Sequence, residues 1–136
     1  MAIQYSLTHR TNAMTQLNTD IGVSAVIKIF TGAAPANCGT ADSGTLLVTF
    51  AGNAGGFGAV TSQVLTASAI ANATAAAAGT AGYFRIYPNA ATTTNAVTQG
   101  IVTATGGGGD MQVTNTNIAN GQTCSVTSLT VTPFGV

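Results

Sequence analysis

Residues 83–87, which read Tyr-Phe-Arg-Ile-Tyr, form the clearest strand signal in the chain, and the Pro-Asn pair that follows ends it. Successive side chains of a strand point to opposite faces, so Tyr83, Arg85 and Tyr87 are predicted to share one face. Aromatic and arginine side chains together are typical of nucleic-acid-binding surfaces and of protein interfaces. The simplest interpretation is a core strand whose one arginine reaches solvent with its charged end.

Alternating apolar and polar positions predict further strands on both sides of this one. Glycine-rich turns at residues 52–56 and 106–109 separate some of them, and a bulge is predicted at 127–128. No alternation of strands with long helices is visible, which favours an all-β fold: an antiparallel β-sandwich or small barrel of about 6–8 strands with one short N-terminal helix. The other predicted strands are residues 25–30, 45–51, 97–103, 110–116 and 124–132, with a weak extended segment at 57–70 and a loop or thin strand at 71–81.

The helix is predicted near the N-terminus, with a length of about twelve residues. Ser6 or Thr8 is suited to cap its start, and Gly22 to end it. The chain is therefore predicted to be one domain, 1–136, with an arm and short helix at 1–22 and a β-domain at 23–136. Its apolar positions near helical spacing are Leu7, Met14, Leu17 and Ile21.

Charge is almost absent: the chain has three basic and three acidic residues, no Glu and one His, with a formal net charge of zero. A typical soluble domain is about one quarter charged. Three scattered cations cannot track a phosphate backbone or attract the protein to anionic lipid, so nucleic acid and membrane are not expected partners. Such a composition favours a subunit that is packed against neighbours. The charged residues are Arg10, Lys28, Arg85, Asp20, Asp42 and Asp110.

No residue pattern predicts catalysis, a cofactor or a metal. His9 has no identifiable serine partner, and the sequence holds no G-x-S-x-G elbow. The glycine run 106–109 is followed by Asp110 where a phosphate-binding loop requires lysine. Two cysteines alone do not make a zinc site. The chain is therefore predicted not to be an enzyme.

The N-terminal sequence has neither the basic nor the apolar region of a signal peptide, and the longest apolar stretch, residues 21–30, is too short to span a bilayer. We therefore expect synthesis in a cytoplasm. That compartment favours free thiols at Cys38 and Cys124, although a disulfide between them is an open alternative.

Several segments together give the chain a resemblance to a known class of proteins. They are the pattern from Tyr5 to Ile29, the run Thr31-Gly32-Ala33-Ala34-Pro35-Ala36, the pair Leu46-Leu47, the triplet Phe84-Arg85-Ile86 and the closing segment 121–130. In this arrangement the chain resembles small virion proteins encoded among the head genes of tailed bacteriophages. The resemblance implies a β-rich decoration or cement subunit, present in many copies on the capsid surface.

From this resemblance we predict a structural virion protein that binds and stabilises the shell of the major capsid protein. We expect it to be made in the host cytoplasm and to form a homo-oligomer, a dimer or trimer, on the particle. A tail, collar or fibre-associated subunit is an alternative within the virion. A fimbrial, pilin-like subunit is a second alternative, because such proteins are also rich in Ala, Thr and Gly.

The residues predicted to contact a partner come from the helix region and from the strand at 83–87. Sequence alone does not separate contact from core at these positions. They are Tyr5, Leu7, Met14, Leu17, Tyr83, Arg85 and Tyr87.

Overall fold

The structure, a computed structural model, describes residues 3–51, 58, 60–67 and 69–133. Within these residues it has one helix and eleven strands, so the predicted all-β class with a single helix is confirmed. The elements are α1 (Leu7–Ile21), β1 (Val26–Thr31), β2 (Leu46–Ala51), β3 (Val60–Thr61), β4 (Val64–Thr66), β5 (Ala73–Thr74), β6 (Gly79–Tyr87), β7 (Thr98–Ala104), β8 (Met111–Val113), β9 (Asn117–Ile118), β10 (Thr123–Cys124) and β11 (Val126–Val131).

The helix begins after Ser6 and ends before Gly22, which are two of the predicted capping residues. The Ser6 hydroxyl accepts a hydrogen bond from the backbone N–H of His9 at 3.2 Å, which satisfies one of the unpaired donors of the first turn. Gly22 ends the helix with a φ of 72°, a left-handed conformation that glycine adopts without a steric cost. The helix spans 15 residues, buries Met14 and Ile21, and contacts β3 and β4.

Nine strands form one sheet, whose main path runs in the order β2-β1-β6-β7-β8-β11-β4-β3, with β9 added beside β6. A second, two-stranded sheet pairs β5 with β10. In the described part of the chain the path ends at β2 and at β3, so these strands do not close into a barrel.

The sheet is mixed, which corrects the purely antiparallel prediction. β7 and β8 are parallel, with Val102 opposite Met111 and Ala104 opposite Val113. Parallel neighbours usually need a long crossover, but here the glycine-rich segment between β7 and β8 turns the chain back. Gly106 and Gly108 have φ values of 85° and 78° in that segment, so glycine makes the tight return possible.

The last predicted strand, 124–132, is divided into β10 and β11. The register of β11 on β8 shifts between Val126 and Ser128, which confirms the predicted bulge. The alanine-rich segment 71–81 contributes β5 and the start of β6, while the weak segment 57–70 holds the short strands β3 and β4. The predicted break at 52–56 lies outside the described residues.

The two faces of β1 and β6 have different chemistry. The inner face carries Ile27, Ile29, Phe84 and Ile86, all at most 1% exposed, and belongs to the main hydrophobic core. Met111, Val113, Leu129 and Leu65 bring β8, β11 and β4 into the same core. The outer face carries Lys28 opposite Arg85 and Phe30 opposite Tyr83, so polar and aromatic side chains lie together on it.

Candidate functional site

Two loops are bound to the outer face of β1, β6 and β7, and we call them the outer loops. The first, residues 32–45, joins β1 to β2, and the second, residues 88–97, joins β6 to β7. They are bonded to each other, because the N–H of Ala96 donates to the carbonyl oxygen of Cys38 at 3.0 Å. Under them Tyr83, Arg85 and Tyr87 are at most 1% exposed.

The Arg85 guanidinium is the centre of this region. It donates to the carbonyl oxygens of Thr40 at 2.6 Å and Asn37 at 2.9 Å. It also contacts Asp42 Oδ1 at 3.1 Å, in the ion pair of the site. From the neighbouring strand, Gln99 Oε1 accepts from its Nε at 3.0 Å and from an Nη at 2.8 Å. A fully buried charge is thereby satisfied by partners on all sides, as burial of a charge requires.

Other side chains of the outer face hold the first outer loop by its main chain. The Tyr83 hydroxyl donates to the carbonyl oxygen of Ser43 at 2.6 Å and accepts from the Ser43 N–H at 3.0 Å. The Gln99 amide donates to the carbonyl oxygen of Pro35 at 2.8 Å. Together with the bonds of Arg85, these contacts fix the backbone of the loop along most of its length.

Lys28 holds the second outer loop in the same way. Its ammonium group donates to the carbonyl oxygen of Thr92 at 2.8 Å and lies 4.8 Å from the centre of the Tyr87 ring. A cation above an aromatic face is stabilised by the ring's electrons. Lys28 is only 6% exposed, so its charged group makes its contacts inside the fold and not with solvent.

Tyr87 has a perturbed acidity because it is buried and bonded. Its hydroxyl donates to Asp42 Oδ1. Burial is the largest cause that raises the pKa of Tyr87, and the hydrogen bond to the Asp42 carboxylate is the second. The hydrogen bond that Arg85 donates lowers this pKa, but the net result is a pKa of about 12. Burial disfavours the Arg85 charge, but its bonds to Tyr87 and Asp42 outweigh that, so the pKa of Arg85 lies above its usual value.

The raised pKa of Tyr87 predicts a loss of stability at high pH. Below pH 10 both the folded and the unfolded chain hold the phenolic proton, and between pH 10 and about 12 only the folded chain holds it. The contribution of Tyr87 is therefore complete below pH 10 and falls by about 1.4 kcal/mol per pH unit between pH 10 and about 12. Urea unfolding of wild type and Tyr87→Phe across this range measures it. A difference between the two proteins that does not change with pH would contradict the prediction.

The structure separates the predicted contact residues into two groups. Tyr83, Arg85 and Tyr87 are core residues, and the expectation that Arg85 reaches solvent is wrong, because the outer loops close over its guanidinium. Of the helix residues, Met14 is buried and Leu17 is partly buried against the core.

The N-terminal residues of the contact set are exposed and apolar. Leu7 is 60% exposed and Tyr5 is 37% exposed, and the preceding Ile3 is 77% exposed. The Tyr5 ring stacks on that of His9 with 5.1 Å between the ring centres. We call Ile3, Tyr5 and Leu7 the apolar arm.

Three of the six charged groups form bonds inside the fold. Lys28 and Arg85 are buried, and Asp42 is paired with Arg85. Arg10, Asp20 and Asp110 are the charged residues that remain outside this cluster. The surface is therefore even poorer in charge than the composition predicts.

The two cysteines are free and lie in different surroundings. Cys38 packs against the outer-face cluster of Val26, Tyr87 and Ala96, whereas Cys124 belongs to the main core. Burial raises the pKa of the Cys124 thiol. In the described residues no three His, Cys, Asp or Glu side chains are grouped so that they could hold a metal ion.

This arrangement predicts unequal thiol reactivity. A maleimide added to the native protein is expected to modify Cys38 much faster than Cys124, because only thiolate reacts and the Cys124 thiol is buried, which also raises its pKa. Mass spectrometry of the time course, with Cys38→Ser and Cys124→Ser as controls, gives the two rates. Equal rates in the folded protein, or a Cys38–Cys124 disulfide, would contradict the structure.

Sequence reasoning did not single out Gln99 or Lys28 as parts of a site. A signal for Lys28 was present, since it interrupts an otherwise apolar strand at the position that pairs with Arg85. Gln99 also pairs with Arg85, from the other side. Two polar residues flanking a buried arginine become recognisable only once the strand order is known.

Within the described residues no helix has the length and apolar character needed to cross a membrane. No protein-family model, curated protein or solved structure matches the chain.

Proposed function

We propose that the protein is a structural virion subunit that decorates the capsid of a tailed bacteriophage, where it binds the major capsid protein and stabilises the shell. It acts as a homo-oligomer on the capsid surface, and the role is not catalytic. The observation that carries the proposal is a surface almost without charge that also exposes the apolar arm. The resemblance of the sequence to small virion proteins supports the same role.

The physical reason is the cost of desolvating a surface when it is covered. Burying an ion at an interface costs several kcal/mol unless it is paired, whereas burying uncharged groups that find hydrogen-bond partners costs little. This chain has already placed Lys28, Arg85 and Asp42 in internal bonds. Exposed apolar side chains such as Ile3 and Leu7 gain free energy when a partner covers them. Both features favour a protein that spends its time in contact with neighbours.

The test is binding of the purified protein to phage heads that lack it. Wild type is expected to co-sediment with such heads and to saturate at a copy number of the same order as that of the coat protein. The double variant Ile3→Ser, Leu7→Gln is expected to bind more weakly, because the apolar arm loses its contact area. The control is Thr66→Ser, an exposed position on β4. A protein that stays monomeric and never associates with heads would contradict the proposal.

The same experiment separates the virion alternatives. Saturation at a few copies, confined to tails or to the head–tail junction, would assign the protein to the tail, collar or fibre.

A further inference from the structure

We propose that Asn120 is a site of spontaneous deamidation that the fold holds unreactive, so that it is converted only in molecules whose β5–β10 pair has opened. Asn120 and Gly121 form the one Asn-Gly pair in the sequence. Deamidation is favoured at such a pair, because glycine has no side chain to hinder attack by its main-chain nitrogen. The reaction involves no partner, and so it lies beyond the proposed function.

Deamidation needs water and no other reagent. The Gly121 nitrogen attacks Cγ of Asn120, a C–N bond forms, and the bond from Cγ to Nδ2 breaks. Ammonia leaves with the proton that the Gly121 nitrogen gave up, and a cyclic imide remains. Water then adds to one of the two imide carbonyl groups and opens the ring, which leaves an aspartate or an isoaspartate. Either product adds a negative charge to a chain that has three acidic residues.

Burial does not protect this pair, since Asn120 and Gly121 are both exposed. The turn at residues 119–122 does, through its main-chain conformation. Gly121 has a φ of 79°, as the third residue of a type II turn requires, and the N–H of Gln122 closes the turn on the carbonyl oxygen of Ala119 at 3.1 Å. The second residue of such a turn has a ψ of about +120°. Ring closure needs the attacking nitrogen beside Cβ of Asn120, and this ψ turns the nitrogen well away from it.

The attacking nitrogen is also held by a hydrogen bond. The Gly121 N–H donates to the carbonyl oxygen of Ala75 at 2.9 Å, and the Ala75 N–H donates to the carbonyl oxygen of Gln122 at 2.8 Å. These two bonds continue the pairing of β10 with β5, where Thr123 lies opposite Thr74. Ala75 is only 3% exposed and belongs to the main core. The turn therefore cannot open without uncovering a core residue.

The rate in the folded protein is then the rate in the open chain multiplied by the fraction of molecules that are open. Opening must break at least the two main-chain hydrogen bonds between the turn and Ala75. We therefore expect the folded protein to convert Asn120 about tenfold or more slowly than the unfolded chain does. Exchange of the Gly121 amide hydrogen requires the same opening, so it should be slowed by a similar factor.

The experiment follows Asn120 in the folded protein and in protein unfolded by urea, in the same mildly alkaline buffer. Mass spectrometry of peptides, after separation of the asparagine, aspartate and isoaspartate forms, gives the two rates. In urea we expect Asn120 to convert faster than Asn115, which is followed by threonine. Hydrogen exchange of the Gly121 amide in the folded protein, measured by NMR, reports the opening independently.

Two matched variants test whether the turn itself controls the rate. Gln122→Ala removes the side-chain oxygen that accepts from the N–H of Ala119 at 2.9 Å, and it is expected to accelerate conversion of Asn120 in the folded protein. Gln16→Ala removes a side-chain hydrogen bond to Asp20 on the helix and is expected to leave the rate unchanged. In urea both variants should convert as wild type does. Thermal unfolding verifies that each variant is folded.

Several results would overturn the proposal. Equal rates in the folded and the unfolded protein would mean that the turn gives no protection. Conversion of Asn120 in urea no faster than that of Asn115 would mean that the site is not labile. Free exchange of the Gly121 amide in the folded protein, or equal rates for Gln122→Ala and Gln16→Ala, would mean that these bonds do not control the reaction. Binding to phage heads enters none of these measurements, so the proposed function stands or fails separately.

Discussion

Replacing Arg85 by Met is expected to lower the free energy of unfolding by about 3–5 kcal/mol, the usual cost of removing one partner of a buried ion pair. The substitution leaves the carbonyl oxygen of Thr40 without its donor and the Asp42 carboxylate without its counter-ion. The carbonyl oxygen of Asn37 keeps only the N–H of Thr40, at 3.3 Å. Buried acceptors that lose their partners carry the full cost of their desolvation. Urea unfolding followed by circular dichroism measures the change.

The matched control is Arg10→Met on the helix. Arg10 is half-buried and its Nε has no hydrogen-bond partner, so its loss is expected to change stability by less than about 1 kcal/mol. The double variant Arg85→Met, Asp42→Asn is expected to be less damaged than the sum of the two single changes, because both act on one bonded pair. A loss at Arg85 as small as that at Arg10, or strict additivity with Asp42, would mean that the guanidinium does not hold the loop.

Replacing Gly82 by Ala is expected to destabilise the protein at the upper end of the roughly 1–3 kcal/mol range for overpacking. Gly82 lies in β6 where Gly32, the first residue of the first outer loop, crosses closely. A Cβ at this position would overlap the carbonyl group of Gly32. Because that carbonyl group is part of the main chain, it cannot move aside as a flexible side chain could. We expect the loop to lift from the sheet. Labelling of Cys38 should accelerate, because this residue belongs to the loop and packs against Val26, Tyr87 and Ala96.

Gly39→Ala is the control for that prediction, in the same loop. A Cβ there would meet only the Asn37 side chain at 3.3 Å and the Asn95 side chain at 3.6 Å, and both can shift slightly. We therefore expect little change in stability and none in the labelling rate of Cys38. If Gly82→Ala behaves like Gly39→Ala, the close approach of the loop to β6 is not present in solution.

The strands and the helix were predictable because their signals are local. Alternation identified β1, β2, β6 and β7, and the caps Ser6 and Gly22 marked the ends of the helix. The strands β5, β9 and β10 are two residues long, which is too short for a periodic pattern to show. The parallel pairing of β7 with β8 was also hidden, because a glycine run predicts a tight turn without giving the direction in which the next strand runs.

The candidate site was harder to predict from the sequence, because its contacts join distant parts of the chain. Arg85 bonds Thr40 and Asp42, which lie more than forty positions earlier. Periodicity places Tyr83, Arg85 and Tyr87 on one face correctly, but it does not say that a loop covers that face. An arginine between tyrosines therefore has the same pattern in a partner-binding surface as in a polar core.

The central claim is that this chain is a high-copy subunit of a virion, and copy number tests it most directly. Purified particles from the source should be digested and the protein quantified by mass spectrometry against the major capsid protein. We predict a copy number of the same order as that of the capsid protein, located on the head. Absence of the protein from purified particles would contradict the account.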